Sequence, residues 1–470
     1  MSKDKEFTPK ILRLDTTNTK LTSAAGLGTL IEAFDVSPLS KEFEKTLPER
    51  TSARSQGSYR LGLIQVASFL RGHDCIDDLI EFRHDETLSE IMRGDTVVPR
   101  TMGDFLRDFD ETHLNKLNLF LSLQAMSYRK HLERHLQKPY KPNLSPRLSI
   151  DSTSHVQQAK KMEGLAYNYK DEWCLDSQVI FDELGFCWDL ELRPGNTKSG
   201  VGAAEQIKRA FSNFKFSDEK YLSGDAAYCY QELMTTCLNL GVKFTFTANQ
   251  ATTHWEDFIP TIINWKPWIY SDEEIKKAAI IKIELPEIEV GSFLWTPNWN
   301  QGLRFQIAVK RMKKEQADFI HGIYKYYGVV TNMDLFKLTP QDVIEFHNKR
   351  GNAENFIREE KYGYDLKHFP CQKLKANHAF GSLAMVAHNL LRWAAIHDQP
   401  HRPKFSKKMR RMFIDIPGKM VSHGRTLTLK ISAQALKEVN RLREALGLKL
   451  YVAKTKVMNS VLSNSPIPTG

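Results

Sequence analysis

The chain has 470 residues, more than one hydrophobic core usually holds, and its 41% apolar content, 26% charged content and net charge of +10 are compatible with a globular protein. Its opening residues are polar and charged, and no stretch approaches about 18 uninterrupted apolar residues, so we expect neither a signal peptide nor a membrane span and place the chain in the cytoplasm. Six cysteines without a Cys-x-x-Cys pair argue against a zinc ribbon and a disulfide framework, so we expect reduced and mostly buried thiols.

The N-terminal part, Leu21–Gln137, is predicted to be helical throughout because apolar residues recur at three- and four-residue spacing. Within it, Cys75–Phe109 has the pattern of a helix-turn-helix unit whose recognition helix begins at Pro99. Arg100 and Thr101 would offer hydrogen-bond donors to DNA at the first turn of that helix. Three aspartates close behind them would repel phosphate, so a purely structural helical bundle is the alternative.

After a proline-bearing linker, the pattern changes to mixed strands and helices. The predicted elements are a strand at Arg147–Asp151, a hairpin of Val179–Glu183 and Phe186–Leu192, a helix at Ala203–Phe214, a strand at Lys220–Ser223, a helix at Tyr228–Leu240 and a strand at Val242–Ala248. This order, completed by a later helix that carries Glu354, is the order of an RNase H-like fold.

A strand-rich stretch precedes the helix that carries Glu354, and we interpret it as an insertion. Its predicted strands are Ala279–Leu285, Ser292–Leu294, Leu303–Val309 and Gly322–Val330. We therefore predict an α/β protein with an RNase H-like catalytic domain, a β-strand insertion before the last catalytic helix, and an all-helical N-terminal region. The predicted regions are a helical DNA-binding region at 1–138, the first part of the catalytic core at 139–251, the insertion at 252–338, the second part of the core at 339–400, and a basic C-terminal region at 401–470.

Three carboxylates could meet in this fold, because Asp151 and Asp225 are predicted to lie at strand ends and Glu354 on the following helix. Each aspartate alone would equally fit a turn or a helix cap. The joint pattern and its order favour a shared site of hard oxygen ligands, which suit Mg²⁺ or Mn²⁺. Two such ions about 3.5 to 4 Å apart would activate a water or a 3′-hydroxyl and stabilise the leaving oxygen at phosphorus.

The segment around Glu354 is predicted to be one helix with a cationic face. At roughly 100° per residue, five side chains fall within an arc of about 80°. They are His347, Arg350, Glu354, Arg358 and Lys361. This face fits a metal-binding glutamate between phosphate-binding cations, although a solvated helix face is the alternative.

The spacing of these residues resembles the Tyr/Arg/Glu/Lys signature of a group of bacterial insertion-sequence DDE transposases that move by cutting and pasting. Histidine stands here in the tyrosine place. Further similarity lies in Ser149-Ile-Asp151-Ser-Thr, in Arg193-Pro-Gly-Asn and in Gly224-Asp225 with its following helix. The chain is most similar to the insertion sequence thirteen-eighty group, and the resemblance spans about Leu21 to His397.

The resemblance implies a transposase that binds the terminal inverted repeats of its element, cleaves them through a hairpin on the transposon end, and joins the 3′-hydroxyls to target DNA. Asp151, Asp225 and Glu354 would hold the two metal ions, and no nucleotide cofactor or membrane is expected. The Arg and Lys of the signature would hold phosphates around a flipped base, and Arg193 would join them as a DNA contact. His347 can also donate to phosphate, but it is shorter than tyrosine and titratable.

A flipped base is usually stacked on an aromatic side chain. Five of the eight tryptophans lie in the predicted insertion, and Trp295 and Trp299 are the first candidates. Packing within the sheet is the alternative for each of them.

The C-terminal region carries most of the positive charge. Residues 401–470 hold 15 lysines and arginines against three acids, a net +12 that leaves about −2 for the first 400 residues. Their densest run suits contact with DNA, with a solvated tail as the alternative. Ser432–Gly447 is predicted to be an amphipathic helix with a serine cap at its start and a glycine cap at its end. It would pack on its own domain or form a dimer contact.

Two other hypotheses remain beside the transposase. One is a structure-selective DNA nuclease without strand transfer, and the other is a catalytically silent DNA-binding protein derived from a transposase. For the transposase itself we expect a homodimer that brings two DNA ends together, associated with the nucleoid of a bacterial cell.

Overall fold

The computed structural model describes residues 16–50, 56–94, 97–215, 218–318, 322–334, 337–423 and 426–452. The ends of the predicted terminal regions, residues 1–15 and 453–470, lie outside these ranges. All six cysteines are free thiols and five are buried, as predicted. Among the described residues, no helix is long and apolar enough to cross a membrane.

Where it is described, the N-terminal part is helical apart from one short strand that the sequence pattern did not show. Its elements are β1 (Lys20–Thr22), α1 (Leu27–Asp35), α2 (Leu39–Glu44), α3 (Ser58–Arg71), α4 (Leu79–His84), α5 (Glu86–Ile91), α6 (Pro99–Arg107) and α7 (Glu111–His135). The helix predicted to begin at Pro99 is present. It leaves Arg100 exposed and Thr101 half-buried at its first turn.

The central part alternates strands and helices. Its elements are β2 (Arg147–Val156), β3 (Ala166–Tyr167), β4 (Trp173–Asp182), β5 (Cys187–Pro194), α8 (Ala203–Ala210), β6 (Lys220–Gly224), α9 (Gln231–Asn239), β7 (Val242–Thr247), α10 (Gln250–Thr253), β8 (Lys266–Pro267), α11 (Asp272–Ile281), β9 (Ile288–Trp295), β10 (Phe305–Asp318) and β11 (Gly322–Thr331). The hairpin, the two helices and the two strands predicted after it are all present, with ends that differ by a few residues.

The C-terminal part returns to helices. Its elements are α12 (Pro340–Asn348), α13 (Asn352–Gly363), α14 (Leu374–Asp398), α15 (Ser406–Met409), β12 (Gly418–His423), β13 (Thr426–Lys430) and α16 (Ala433–Ala445). The predicted amphipathic helix is α16, which has Ser432 as its N-cap, and Gly447 follows it with a φ of +71°. It packs on α14 rather than projecting alone.

The described strands form one large mixed sheet and one small sheet. The large sheet has the order β3-β4-β2-β6-β7-β11-β10-β9-β8, and β5 pairs with β4 as well. Strands β2, β6 and β7 are parallel to one another, whereas β4 runs antiparallel to β2, and β11 antiparallel to β7. The small sheet joins the two ends of the chain, since β1 pairs with β12 and β12 with β13.

The strand-rich stretch continues the core sheet, because β11 pairs with β7 through three residues beginning at Val329 and Thr247. The strand predicted at Ala279–Leu285 is wrong, since its first residues belong to α11. A capping box explains the difference: the Ser271 hydroxyl accepts from the Glu274 amide, and the Glu274 carboxylate accepts from the Ser271 amide at 2.8 Å. The short apolar run that follows is ambiguous between helix and strand on periodicity alone.

The helix predicted across His347–Lys361 is also wrong, because it is divided in two. Helix α12 ends at Asn348, a single 3₁₀ turn covers Lys349–Gly351, and α13 begins at Asn352. A 3₁₀ turn has three residues per turn instead of 3.6, so it changes the direction of every side chain that follows it. The side chains on α13 are therefore rotated relative to those on α12, compared with an unbroken α-helix.

Helix α14 is the centre of the molecule. Twenty of its residues are buried, and it contacts α3, α6 and α7 of the N-terminal part, strand β5 of the large sheet, and α16. Buried apolar residues from each of these elements belong to one continuous cluster. The N-terminal helices therefore share a core with the sheet.

Candidate active site

Asp151 lies in the middle of β2, not at its end as predicted. The parallel pairing of β2 with β6 covers only Arg147–Ser149, while the pairing with β4 continues past Asp151, which lies opposite Val179. Strand β2 therefore has a neighbour on one side only at this position. The side chain is 23% exposed at the place where β6 has ended.

Asp225 follows the last residue of β6, as predicted. Its Oδ1 accepts a hydrogen bond from the Ala227 amide at 2.9 Å and thereby caps a short 3₁₀ turn, Ala226–Tyr228. Asp225 thus acts as a helix cap, as the alternative interpretation of this residue predicted. Because the cap uses one carboxylate oxygen, the other is available for a second role.

Glu354 lies in the first turn of α13 and is exposed. The pKa of Asp151 is raised to about 6, mainly by burial and also by the charges of Asp225 and Glu354, while the hydrogen bond from the Ser152 amide and the charge of Arg350 lower it. Both carboxylates are therefore close enough to Asp151 to repel its charge. The structure brings the three predicted acids into one electrostatic cluster.

The donor set of this cluster fits a divalent cation. Oxygen-only ligands suit Mg²⁺, and a cation would relieve the repulsion that disfavours a charged Asp151. Within the described ranges, the one group whose ligand atoms all lie within 4.8 Å of one another is a different one, Asp74, Cys75 and Asp78. The oxygens of the triad are therefore not drawn together to that distance.

The cations near the cluster have different surroundings. Arg350, in the 3₁₀ turn, has its Nη1 3.9 Å from Asp151 Oδ2. Arg358 is exposed on α13, whereas Lys361 is half-buried and donates from Nζ to the Ser154 carbonyl at 2.7 Å. Arg350 and Arg358 can thus reach a phosphate directly, and Lys361 ties α13 to β2.

His347 lies apart from these cations. It is fully buried on α12, with Nε2 3.1 Å from Thr247 Oγ1 and Nδ1 3.1 Å from Thr245 Oγ1. Burial lowers its pKa to about 3, with Arg350 acting in the same direction. The prediction that His347 and Glu354 lie on one helix face is wrong, because the 3₁₀ turn lies between them and His347 is buried against β7.

Arg193 is also buried rather than presented to solvent. Its Nε donates to Asp176 Oδ1 at 2.8 Å, and its Nη1 donates to the carbonyls of Val201 and Ser199 at 2.7 and 3.2 Å. These bonds hold the loop between β5 and α8. A phosphate contact would require the guanidinium to leave its buried partners.

The two predicted stacking residues pack against the same phenylalanine. Trp295 is 4% exposed, with its ring centroid 5.9 Å from that of Phe305, and the half-buried Trp299 lies 6.3 Å from the same ring. Trp295 therefore packs within the sheet, which was the alternative to a role in base stacking.

A buried polar network behind α13 was not predicted. Ser177 donates to Glu360 Oε1 at 3.3 Å and lies 2.7 Å from His155 Nε2, and all three residues are buried. Burial raises the pKa of Glu360 to about 7 and lowers that of His155 to about 3. The network joins the helix of Glu354 to strand β2 of Asp151. The sequence gives little indication of this network beyond the presence of Glu360 next to Lys361.

The exposed aromatic residues of the hairpin β3–β4 were not singled out either. Tyr167 and Tyr169 are exposed, and the half-buried Trp173 pairs with Tyr167 across the hairpin. The spacing of the two tyrosines could have drawn attention to them.

Comparison with known families gives a match over nearly the whole chain. Residues 5–447 match the family model described as Transposase DDE domain group 1. No curated protein matches the chain.

Proposed function

This chain belongs to the Transposase DDE domain group 1 family, and from that premise we propose that it is a cut-and-paste DNA transposase. Members of such a family are DNA-binding, metal-dependent enzymes with transposition-related nuclease activity. We propose further that this protein binds the terminal inverted repeats of its element, cleaves them through a hairpin on the transposon end, and joins the 3′-hydroxyls to target DNA. The signature spacing supports placement in the insertion sequence thirteen-eighty group.

The proposed catalytic core is RNase H-like. The strand order β5-β4-β2-β6-β7, with an antiparallel hairpin beside three parallel strands, supports this assignment. The proposed triad is Asp151, Asp225 and Glu354. One observation carries the proposal: Asp151 lies where β6, the strand that leads to Asp225, has ended beside β2, and Arg350, four residues before Glu354, lies 3.9 Å from it, although 74 and 129 residues separate the three acids along the chain.

The three acids would hold the divalent cations. When bound, such ions activate the attacking water or 3′-hydroxyl and stabilise the leaving oxygen. Arg350, beside Asp151, supplies a bidentate donor to a phosphate next to the scissile bond. Arg358, exposed one turn after Glu354, extends the same positive edge along α13. His347 supports the sheet from behind, through the threonines of β7.

The decisive experiment combines the purified protein and Mg²⁺ with DNA that carries the element's ends and a separate target plasmid. We expect release of the element and joined products. Asp225→Asn should abolish both reactions and retain binding to the ends. Asp218→Asn, an exposed aspartate just before the start of β6, is the matched control and should keep full activity.

Other outcomes select the alternatives. Cleavage without joining would identify a structure-selective nuclease. End binding without any cleavage would identify a catalytically silent DNA-binding protein. Undiminished cleavage by Asp225→Asn would remove Asp225 from the site.

A further inference from the structure

The hairpin β3–β4 presents three aromatic side chains at the edge of the large sheet. Tyr167 is 64% exposed and Tyr169 is 88% exposed. The ring centroid of Trp173 lies 5.0 Å from that of Tyr167, with 50° between the planes. Neighbouring aromatic side chains at an exposed edge can serve as a contact surface for a partner.

The turn of this hairpin is held rigidly by Asn168. Its Oδ1 accepts from the amides of Lys170 and Glu172 at 2.8 and 3.0 Å, and Asp171 adopts a φ of +58°. Glu172 in turn accepts from the hydroxyl of Ser154, on β2, at 2.9 Å. The aromatic rings are therefore presented on a preorganised support, which lowers the entropic cost of binding.

Charged side chains of both signs surround the rings, since Glu163 and Asp171 are exposed and Glu172 is half-buried beside three lysines. The Lys170 ammonium lies 5.4 Å from the centroid of the Tyr169 ring, and Lys160 and Lys161 are exposed on the preceding loop. Trp173 is fixed to the same loop, since its Nε1 donates to the Ala159 carbonyl at 3.0 Å. The rings can stack on bases, each of which offers a ring face, and the three lysines can contact phosphates of the same strand.

The hairpin is continuous with the proposed active site. Strand β2 runs from Asp151 to Ser154, about 10 Å, and α13 runs from Glu354 to Lys361, also about 10 Å. At the far end the two elements are joined by the bond from Lys361 to the Ser154 carbonyl. A DNA strand that follows α13 away from the carboxylates therefore reaches the hairpin within a few nucleotides.

We propose that Tyr167, Tyr169 and Trp173 form a stacking platform for unpaired bases of the DNA strand that leaves the active site. This inference rests on the proposed function and adds to it the kind of DNA that the site accepts. Bases of an intact duplex are stacked on their neighbours and offer no free face. The platform thus selects ends whose last pairs are open.

The test uses the full chain without metal, so that nothing is cleaved. The probes are a duplex of the element's end with a four-nucleotide unpaired tail containing 2-aminopurine, and the same duplex with a blunt end. Wild-type protein should bind the tailed DNA more tightly and quench its fluorescence. The double variant Tyr167→Ala/Tyr169→Ala should bind the tailed DNA roughly tenfold more weakly, lose the quenching, and bind the blunt duplex unchanged.

Two controls separate stacking from other effects. Tyr167→Phe/Tyr169→Phe keeps the rings and should behave as wild type. Tyr140→Ala removes an exposed tyrosine, 48% accessible, from the linker before β2 and should change nothing. The substituted side chains are exposed, so an unchanged melting temperature shows that the variants are folded.

Other results would overturn the inference. Equal binding of tailed and blunt DNA by wild type, or undiminished quenching by the double Ala variant, removes the platform while end cleavage with Mg²⁺ leaves the proposed function intact. A wild-type protein that neither binds nor cleaves the element's ends removes both.

Discussion

Asp151 combines burial with repulsion from two nearby acids, so a cation that binds the triad should stabilise the folded protein. A ligand that binds only the native state raises stability by about 2.7 kcal/mol at a concentration 100 times its Kd. We expect Ca²⁺ to raise the melting temperature of the wild type, as measured by calorimetry, and chelation to reverse the change. Asp225→Asn should lose this response and Asp218→Asn should keep it. An equal response of both variants would place the cation elsewhere.

Glu360 should make stability depend on pH. Its pKa is raised by burial from the usual 4.5 to about 7, so the folded state binds a proton more tightly than the unfolded state. Stability therefore falls as pH rises from about 4.5 to about 7, by roughly 3 kcal/mol in total. Glu360→Gln, which stays neutral, should become more stable relative to wild type across this window, in urea denaturation at several pH values.

The matched control for this pH dependence is Glu345→Gln, an exposed glutamate on α12. It should leave the pH profile of the wild type unchanged. A Glu360→Gln variant whose profile is parallel to that of the wild type would show that folding does not raise the pKa of Glu360.

At the scale of elements, the 3₁₀ turn between α12 and α13 contains a glycine that a larger residue can replace. A Cβ at Gly351 would meet nothing within 4 Å, and the backbone there is right-handed helical, with a φ of −54°. Gly351→Ala should therefore raise the free energy of unfolding by about 0.4 to 1 kcal/mol.

Gly363, at the other end of α13, is the contrasting control. A Cβ there would lie 2.7 Å from the Ser406 hydroxyl and 2.8 Å from the Glu359 carboxylate. Gly363→Ala should destabilise the protein in the same urea titration. Destabilisation by Gly351→Ala would mean that the turn needs the freedom of glycine.

Elements with local signals were predictable from the sequence. Strand β6 and the hairpin β4–β5 have alternating or apolar runs bounded by turn residues, and α16 has both caps, so their positions follow from short-range chemistry. Asp225 was placed correctly for the same reason. The pairing of β7 with β11 joins residues more than 80 positions apart, and no local pattern records it.

The errors at the candidate site have the same origin. Extending a helical period through Lys349–Gly351 assumed 3.6 residues per turn and placed His347 beside Glu354. Arg193 was expected to contact DNA from the resemblance, and its pairing with the buried Asp176 has no signal in the sequence pattern. Burial of a charge depends on tertiary neighbours, which periodicity does not contain.

At the scale of the whole molecule, the first and last parts of the chain enclose the sheet together. Arg129 on α7 bonds with Asp182 of β4 at 2.9 Å in the interior, and Arg410 donates to the Phe69 carbonyl at 2.8 Å. The basic run that begins at Arg402 is thus only partly a free surface. Its described residues also close the N-terminal helices onto α14.

This shared core predicts how fragments behave. The predicted catalytic regions alone, residues 139–400, would expose the faces of α14 that α3, α6 and α7 cover. We expect this fragment to lack a cooperative thermal transition by circular dichroism, whereas residues 16–452 should unfold in one transition. A cooperative transition in the short fragment would show that the catalytic part folds independently.

The hydrogen-bonded ladder from β6 through β7, β11 and β10 to β9 fixes a length as well as a topology. Four strand spacings of about 4.8 Å place β9 about 19 Å from the strand that leads to Asp225. A segment joined in this way cannot swing as a flap without breaking a ladder of backbone bonds. The distance between β9 and the strand that leads to Asp225 is therefore fixed. A DNA end that contacts both β9 and the carboxylates has to span this distance, which is close to half a turn of double helix.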